Sequence, residues 1–153
     1  MSTYLVVAHQ TATSDALIRG VASKSEREAD ARFVLLVPAT PVEDLVYLGP
    51  DNKEDRRQIA IRVATEAAER LRAEGIKVVA SMVGDSAPIT AIGDELRSSP
   101  GRYDGIILST FPTGVSHWLR QDLPHQVERR FHIPVFHVIS EPEVAMEEPL
   151  IGN

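Results

Sequence analysis

The residues able to do chemistry gather in a few short stretches. The richest is STFPTGVSHWLRQDLP, from Ser109 to Pro124. Its hydroxyls, Ser109, Thr110, Thr113 and Ser116, flank a single glycine, Gly114, and are followed by His117 and Arg120. Gly114 can take positive φ and turn the N–H groups of Val115 and Ser116 outward, as an anion nest does. With Arg120 nearby, the stretch suits a small anion or a nucleotide. The same hydroxyls can instead bond back onto their own loop, with Val115, Trp118 and Leu119 forming one packed helical turn. Trp118, the chain's single tryptophan, is read as a core or interface anchor. The second stretch is His9, Gln10 and Thr11, in AHQT. A neutral imidazole there offers one donor and one acceptor. Val37 and Gly84 stand where two other apolar runs end, and complete the candidate ligand contacts.

Several chemistries are excluded. There is no cysteine, so thiol catalysis, disulfides and thiolate metal sites are absent, and the cytoplasm is the expected compartment. The histidines at 9, 117, 125, 132 and 137 show no HxxxH or HxH spacing, so no metal site is expected. No G-x-S-x-G elbow, Walker A loop or G-x-G-x-x-G turn occurs. The acid cluster of a response-regulator receiver is missing after the first apolar run. No acid, base or nucleophile can be assigned, so catalysis is not expected. A nucleotide-acting enzyme stays open as an alternative. A net charge of −6 argues against a nucleic-acid partner. No apolar run reaches the roughly 18 residues of a membrane span. MSTYLVVAHQ lacks a basic leader and reads as a strand.

These residues need elements to position them. Five apolar runs have strand length: 4–8, 32–37, 77–83, 103–109 and 134–139. VV, VLLV and IIL are continuous rather than alternating, as in a parallel sheet covered on both faces. Helical patterns lie between them. Thr13 or Ser14 caps the first, with Leu17, Ile18 and Val21 on one face. The second runs from about Asp55 to Glu74, with an Ala60, Val63, Ala64, Ala67, Leu71 stripe and Gly75 as its stop. The third starts after Asp85 or Ser86, with Asp85 as cap and Pro88 in its first turn. The fourth is capped by Asp122. Alternating β and α elements with right-handed crossovers predict a three-layer α/β/α, doubly wound, five-stranded parallel sheet. One domain covers 1–140 and an acidic tail covers 141–153. Residues 38–53 form a long loop carrying Val42, Leu45, Tyr47 and Leu48. Ligands of such sheets sit outside the carboxyl ends of the strands. His9–Thr11, Gly84 and Ser109–Arg120 all leave those ends.

YLVVAHQTATSDAL near the start and YDGIILST…PHQVERRFHIPVFHV near the end resemble the universal stress protein family. The resemblance spans roughly Tyr4 to Ile139. It implies strand order 3-2-1-4-5, an adenine nucleotide α-hydrolase-like fold, and a homodimer, here through the last strand. It also implies ATP held by an Asp after the first strand and by a G-x-x-G-x9-G-[S/T] loop after the fourth. This chain has His9 at the Asp position. Its loop carries Ser109, Pro112 and Asp122 at the glycine positions and Leu123 at the hydroxyl position. Pro112 has no N–H to offer a phosphate. Asp122 as a cap would fill the helix N-terminus with the protein's own anion. ATP is therefore not carried over, and the cofactor stays unidentified. The expected function is a small binding or regulatory domain for another anion or nucleotide. The alternative is a homodimeric interaction module without ligand.

Overall fold

The computed structural model describes residues 2–40, 53–112, 117–120 and 122–140, with the backbone alone at Lys53, Glu54, His117 and Arg120. The continuous apolar runs form five strands: β1 (Thr3–Val7), β2 (Arg32–Pro38), β3 (Val78–Gly84), β4 (Gly105–Thr110) and β5 (Val135–Ile139). All pairings are parallel and the order is β3-β2-β1-β4-β5, as expected. Val7 lies level with Leu36 on one side and Leu108 on the other. Phe33 pairs with Val78 but Val34 with Ala80, so Val79 is an extra residue that bulges the β3 edge.

The helices are α1 (Asp15–Arg27), α2 (Lys53–Ala73), α3 (Pro88–Ser98), the single turn α4 (His117–Arg120) and α5 (Leu123–Phe131). Ser14 caps α1, its Oγ accepting from Leu17 N–H at 3.0 Å. α2 ends in a Schellman turn: Gly75 N–H reaches the Arg72 carbonyl and Ile76 N–H that of Leu71, with Gly75 at φ 84°. α1 and α2 cover one face, where Leu17, Val21, Ala60, Ala64, Ala67 and Leu71 pack with Val6, Phe33 and Leu35. α3, α4 and α5 cover the other, where Ile92, Trp118, Leu123 and Val127 meet Leu5, Val7, Leu36 and Leu108. Trp118 is thus a core residue.

Two expected caps differ. Asp122 does precede α5, but its backbone is left-handed (φ 57°, ψ 40°) and its side chain accepts no helix N–H. A capping side chain needs extended backbone to curl over the first turn. Here the carboxylate turns aside, 2.8 Å from His125 Nδ1 and 3.9 Å from Arg129 Nη1. Asp85 accepts from Ala87 N–H at 2.9 Å, an Asx turn two residues ahead. Ala87 holds the N-cap position of α3 and Pro88 follows it. The expected apolar loop at Val42–Leu48 and the tail 141–153 lie outside the described residues.

Candidate ligand-binding site

β1 connects toward β2 on one side of the sheet, while β4 connects toward β5 on the other. Between the carboxyl ends of β1 and β4 the connections diverge to opposite faces, the place where open α/β sheets hold ligands. The chain leaving β1 turns at once, with Ala12 N–H on the His9 carbonyl at 3.0 Å and Ser14 N–H on that of Thr11 at 3.0 Å. This turn carries His9 and Thr11 inside the molecule and leaves Gln10 exposed.

Most of the hydroxyls here are used internally. Thr11 Oγ1 and Ser109 Oγ lie 2.5 Å apart and tie the β1 turn to the end of β4. Thr110 Oγ1 donates to the Phe111 carbonyl at 2.7 Å, so it accepts from His137 Nε2 at 2.8 Å. That places the His137 proton on Nε2. Ser14 Oγ and Ser140 Oγ are 2.8 Å apart and close the seam between α1 and the end of β5. Thr11, Ser109, Thr110 and Ser140 are all buried. Thr110 bonds within its own stretch, to Phe111, but Ser109 bonds across to the β1 turn, and Thr113 and Ser116 lie outside the described residues.

His9 is different. It is 5% exposed, and among the described residues neither Nδ1 nor Nε2 has a hydrogen-bond partner. Burial pushes its pKa from 6.5 to about 4, and burial is the whole cause. At neutral pH it is therefore an uncharged ring with an unused donor and an unused acceptor. A buried polar group left unpaired costs about 1–3 kcal/mol.

The other expected contacts divide. Val37 is fully buried in the α1–α2 core and pairs with Val83, so its side chain has no surface at the rim. Gly84 ends β3 beneath α3; a Cβ there would lie 2.7 Å from Ala91 Cβ and 3.1 Å from Leu36 Cδ1. Its missing side chain is explained by this helix–strand approach. Gly114, Val115 and Ser116 lie outside the described residues. Arg120 is placed in α4 by its backbone alone. Pro112 leaves β4 partly buried. Among the described residues no cluster of side chains suited to a metal ion occurs. Among them, too, no helix is long and apolar enough to cross a membrane. Sequence reasoning missed the His137–Thr110 and Ser14–Ser140 pairs. Their partners stand 27 and 126 residues apart, and no local signal joins them.

Solved structures resemble this one. A universal stress protein from Archaeoglobus fulgidus is 14% identical, covers 90% of this chain and 98% of its own, and superposes with a TM-score of 0.61. Its fold is that of the universal stress proteins. A universal stress protein from Archaeoglobus fulgidus in complex with dAMP is 13% identical over 90% of this chain and 97% of that one, with a TM-score of 0.59. A universal stress protein family protein from Arabidopsis thaliana with AMP bound is 14% identical over 97% and 98%, with a TM-score of 0.57. No family model and no curated protein matches the sequence.

Proposed function

We propose that this chain is a cytoplasmic binding or regulatory domain of the universal stress type. Its ligand is nucleotide-like and sits where β1 and β4 part. The observation that carries this reading is His9, buried just after β1 with both ring nitrogens unpartnered among the described residues. AMP and dAMP, bound by proteins of the same fold, supply the ligand class. The polyphosphate loop of the family's ATP-binding members is not part of this reading. Pro112 has no N–H, and Asp122 keeps a carboxylate at the start of α5. That carboxylate is turned away from the helix amides, so it opposes an anion by charge alone.

The test is titration with AMP and with ATP, followed by Trp118 fluorescence and by calorimetry. AMP is expected to bind, and ATP no more tightly than AMP. Micromolar ATP binding at least about tenfold tighter than AMP would overturn the loss of the polyphosphate site.

A second reading, pairing of two copies through β5, rests on a separate observation. Among the described residues β5 is an edge strand joined to β4 alone, and Phe136 and Ile139 are 41% and 49% exposed on it. Unpaired edge groups and apolar side chains together favour a two-fold contact with a second copy.

A further inference from the structure

We propose that Tyr4, Phe136 and Glu28 form an ammonium-recognising box, and that this box makes its occupant, Lys24, a modification site that sorts modifications by charge. N-methylation of Lys24 is held in the box and N-acylation is expelled. The box lies at the amino ends of the strands, away from the ligand rim, and depends on neither reading above.

Tyr4 lies near the start of β1 and Phe136 near the start of β5, with β4 between them. Strands two apart are separated by about 10 Å, so a side chain on the middle strand normally keeps such residues from touching. Here that residue is Gly105. A Cβ on it would lie 3.0 Å from Phe136 Cε2 and 3.1 Å from Tyr4 Cδ1. The two rings therefore meet over Gly105, edge to face, with centroids 6.2 Å apart and planes at 81°. Phe33 stacks on Tyr4 at 5.8 Å and fixes its ring. Glu28, the C-cap of α1, closes a third side, with both carboxylate oxygens 2.8 Å from the Tyr4 hydroxyl.

Lys24, one turn earlier on α1, enters this box. Its Nζ is 3.9 Å from the Phe136 centroid, 5.0 Å from that of Tyr4 and 3.5 Å from Glu28 Oε2. Its side chain is only 17% exposed, whereas lysine side chains ordinarily stand in solvent.

Aromatic faces at right angles, with a carboxylate beside them, favour a positive charge and accept apolar bulk around it. Methyl transfer from a sulfonium donor breaks an S–CH3 bond and forms N–CH3. A thioether leaves, a proton goes to solvent, and the nitrogen keeps its charge. The added methyls meet the rings, and the dimethyl form retains one N–H for Glu28. Acyl transfer from a thioester breaks a C–S bond, forms an amide C–N bond and releases a thiol, which takes the proton. The amide carries no charge. It forfeits the attraction of both rings, and Glu28 loses its cation.

The experiment uses the full chain with Lys53→Arg and Lys77→Arg, which leaves Lys24 as its only lysine. Isotope-labelled formaldehyde with a borane hydride donor dimethylates it, and an acetyl thioester acetylates it. Carbon–proton spectra should place the Lys24 methyls upfield of those of free dimethyl-lysine, because the ring faces shield them. Phe136→Leu should return them toward the free position. The melting temperature should hold or rise on methylation and fall by about 2–4 °C on acetylation. The N-terminal amine reacts as well, so Lys24→Arg in the same chain is the control, and acetylation should leave its melting temperature unchanged. Methyl signals at the free position in the folded protein would overturn the proposal. So would the same melting temperature after both modifications, or a Lys24 that neither reagent reaches.

Discussion

His9 ties stability to acidity with a definite sign. Its pKa is near 4 in the folded chain, against an ordinary 6.5. Between those values the unfolded chain binds more protons, so stability is full above 6.5 and falls as pH drops toward 4. The expected loss between about pH 7.5 and about pH 5 is about 2 kcal/mol from this residue. Urea midpoints at the two pH values measure it. In His9→Gln the difference should shrink by that amount, and an unchanged pH profile would show that His9 is not held neutral. The sequence made His9 visible as a rim residue, because it follows an apolar run directly. It could not show that both nitrogens are orphaned, since that depends on what packs around the ring. Asp122 is the opposite case. Its type and place before Leu123–Pro124 fit a cap, yet a left-handed backbone defeats the cap, and no local pattern signals that conformation in an aspartate.

Helix and strand boundaries were largely readable. Continuous apolar runs, Ser14, Gly75 and Pro88 each act through nearest neighbours in the chain, so the sequence holds the whole cause. α4 was less readable: a four-residue turn has little periodicity, and the packing of Trp118 decides it. Two element-level predictions follow from close contacts and backbone. Gly84→Ala should destabilise by about 1–3 kcal/mol, because the added methyl meets Ala91 and Leu36 and forces α3 off β3. Chemical denaturation measures it, and a neutral result would mean that the β3–α3 approach is looser than 2.7 Å implies. His132 closes α5 at φ 53° and is exposed, so little packing is lost on its removal. His132→Gly should raise stability by about 1 kcal/mol, read as a higher melting temperature.

On the scale of the molecule, topology was the most legible property and assembly the least. Strand order follows from element order and right-handed crossovers, which leave few alternatives for a five-stranded parallel sheet. Assembly depends on surfaces, and there the proposal of a β5-mediated pair makes its own prediction. Phe136 lies under Lys24, whose Nζ is 3.9 Å from the ring centroid. Phe136→Glu replaces that contact with an ion pair and places charge on the edge. Sedimentation should show wild-type dimers and monomers of the variant; wild-type monomers at high concentration would rule the pair out.

The two margins of the sheet are not equivalent. β5 is regular along its register with β4, whereas β3 carries an extra residue at Val79 and is bent there. A ribbon with two straight margins can recruit neighbours without end and grow into a filament. One with a single straight margin accepts one neighbour and is then terminated on both sides. In the β5-paired dimer proposed above, the bulge at Val79 would act as a chain stopper. Crowding the protein should saturate at two copies, and removing Val79 to straighten the strand is the change that would put open-ended polymerisation within reach.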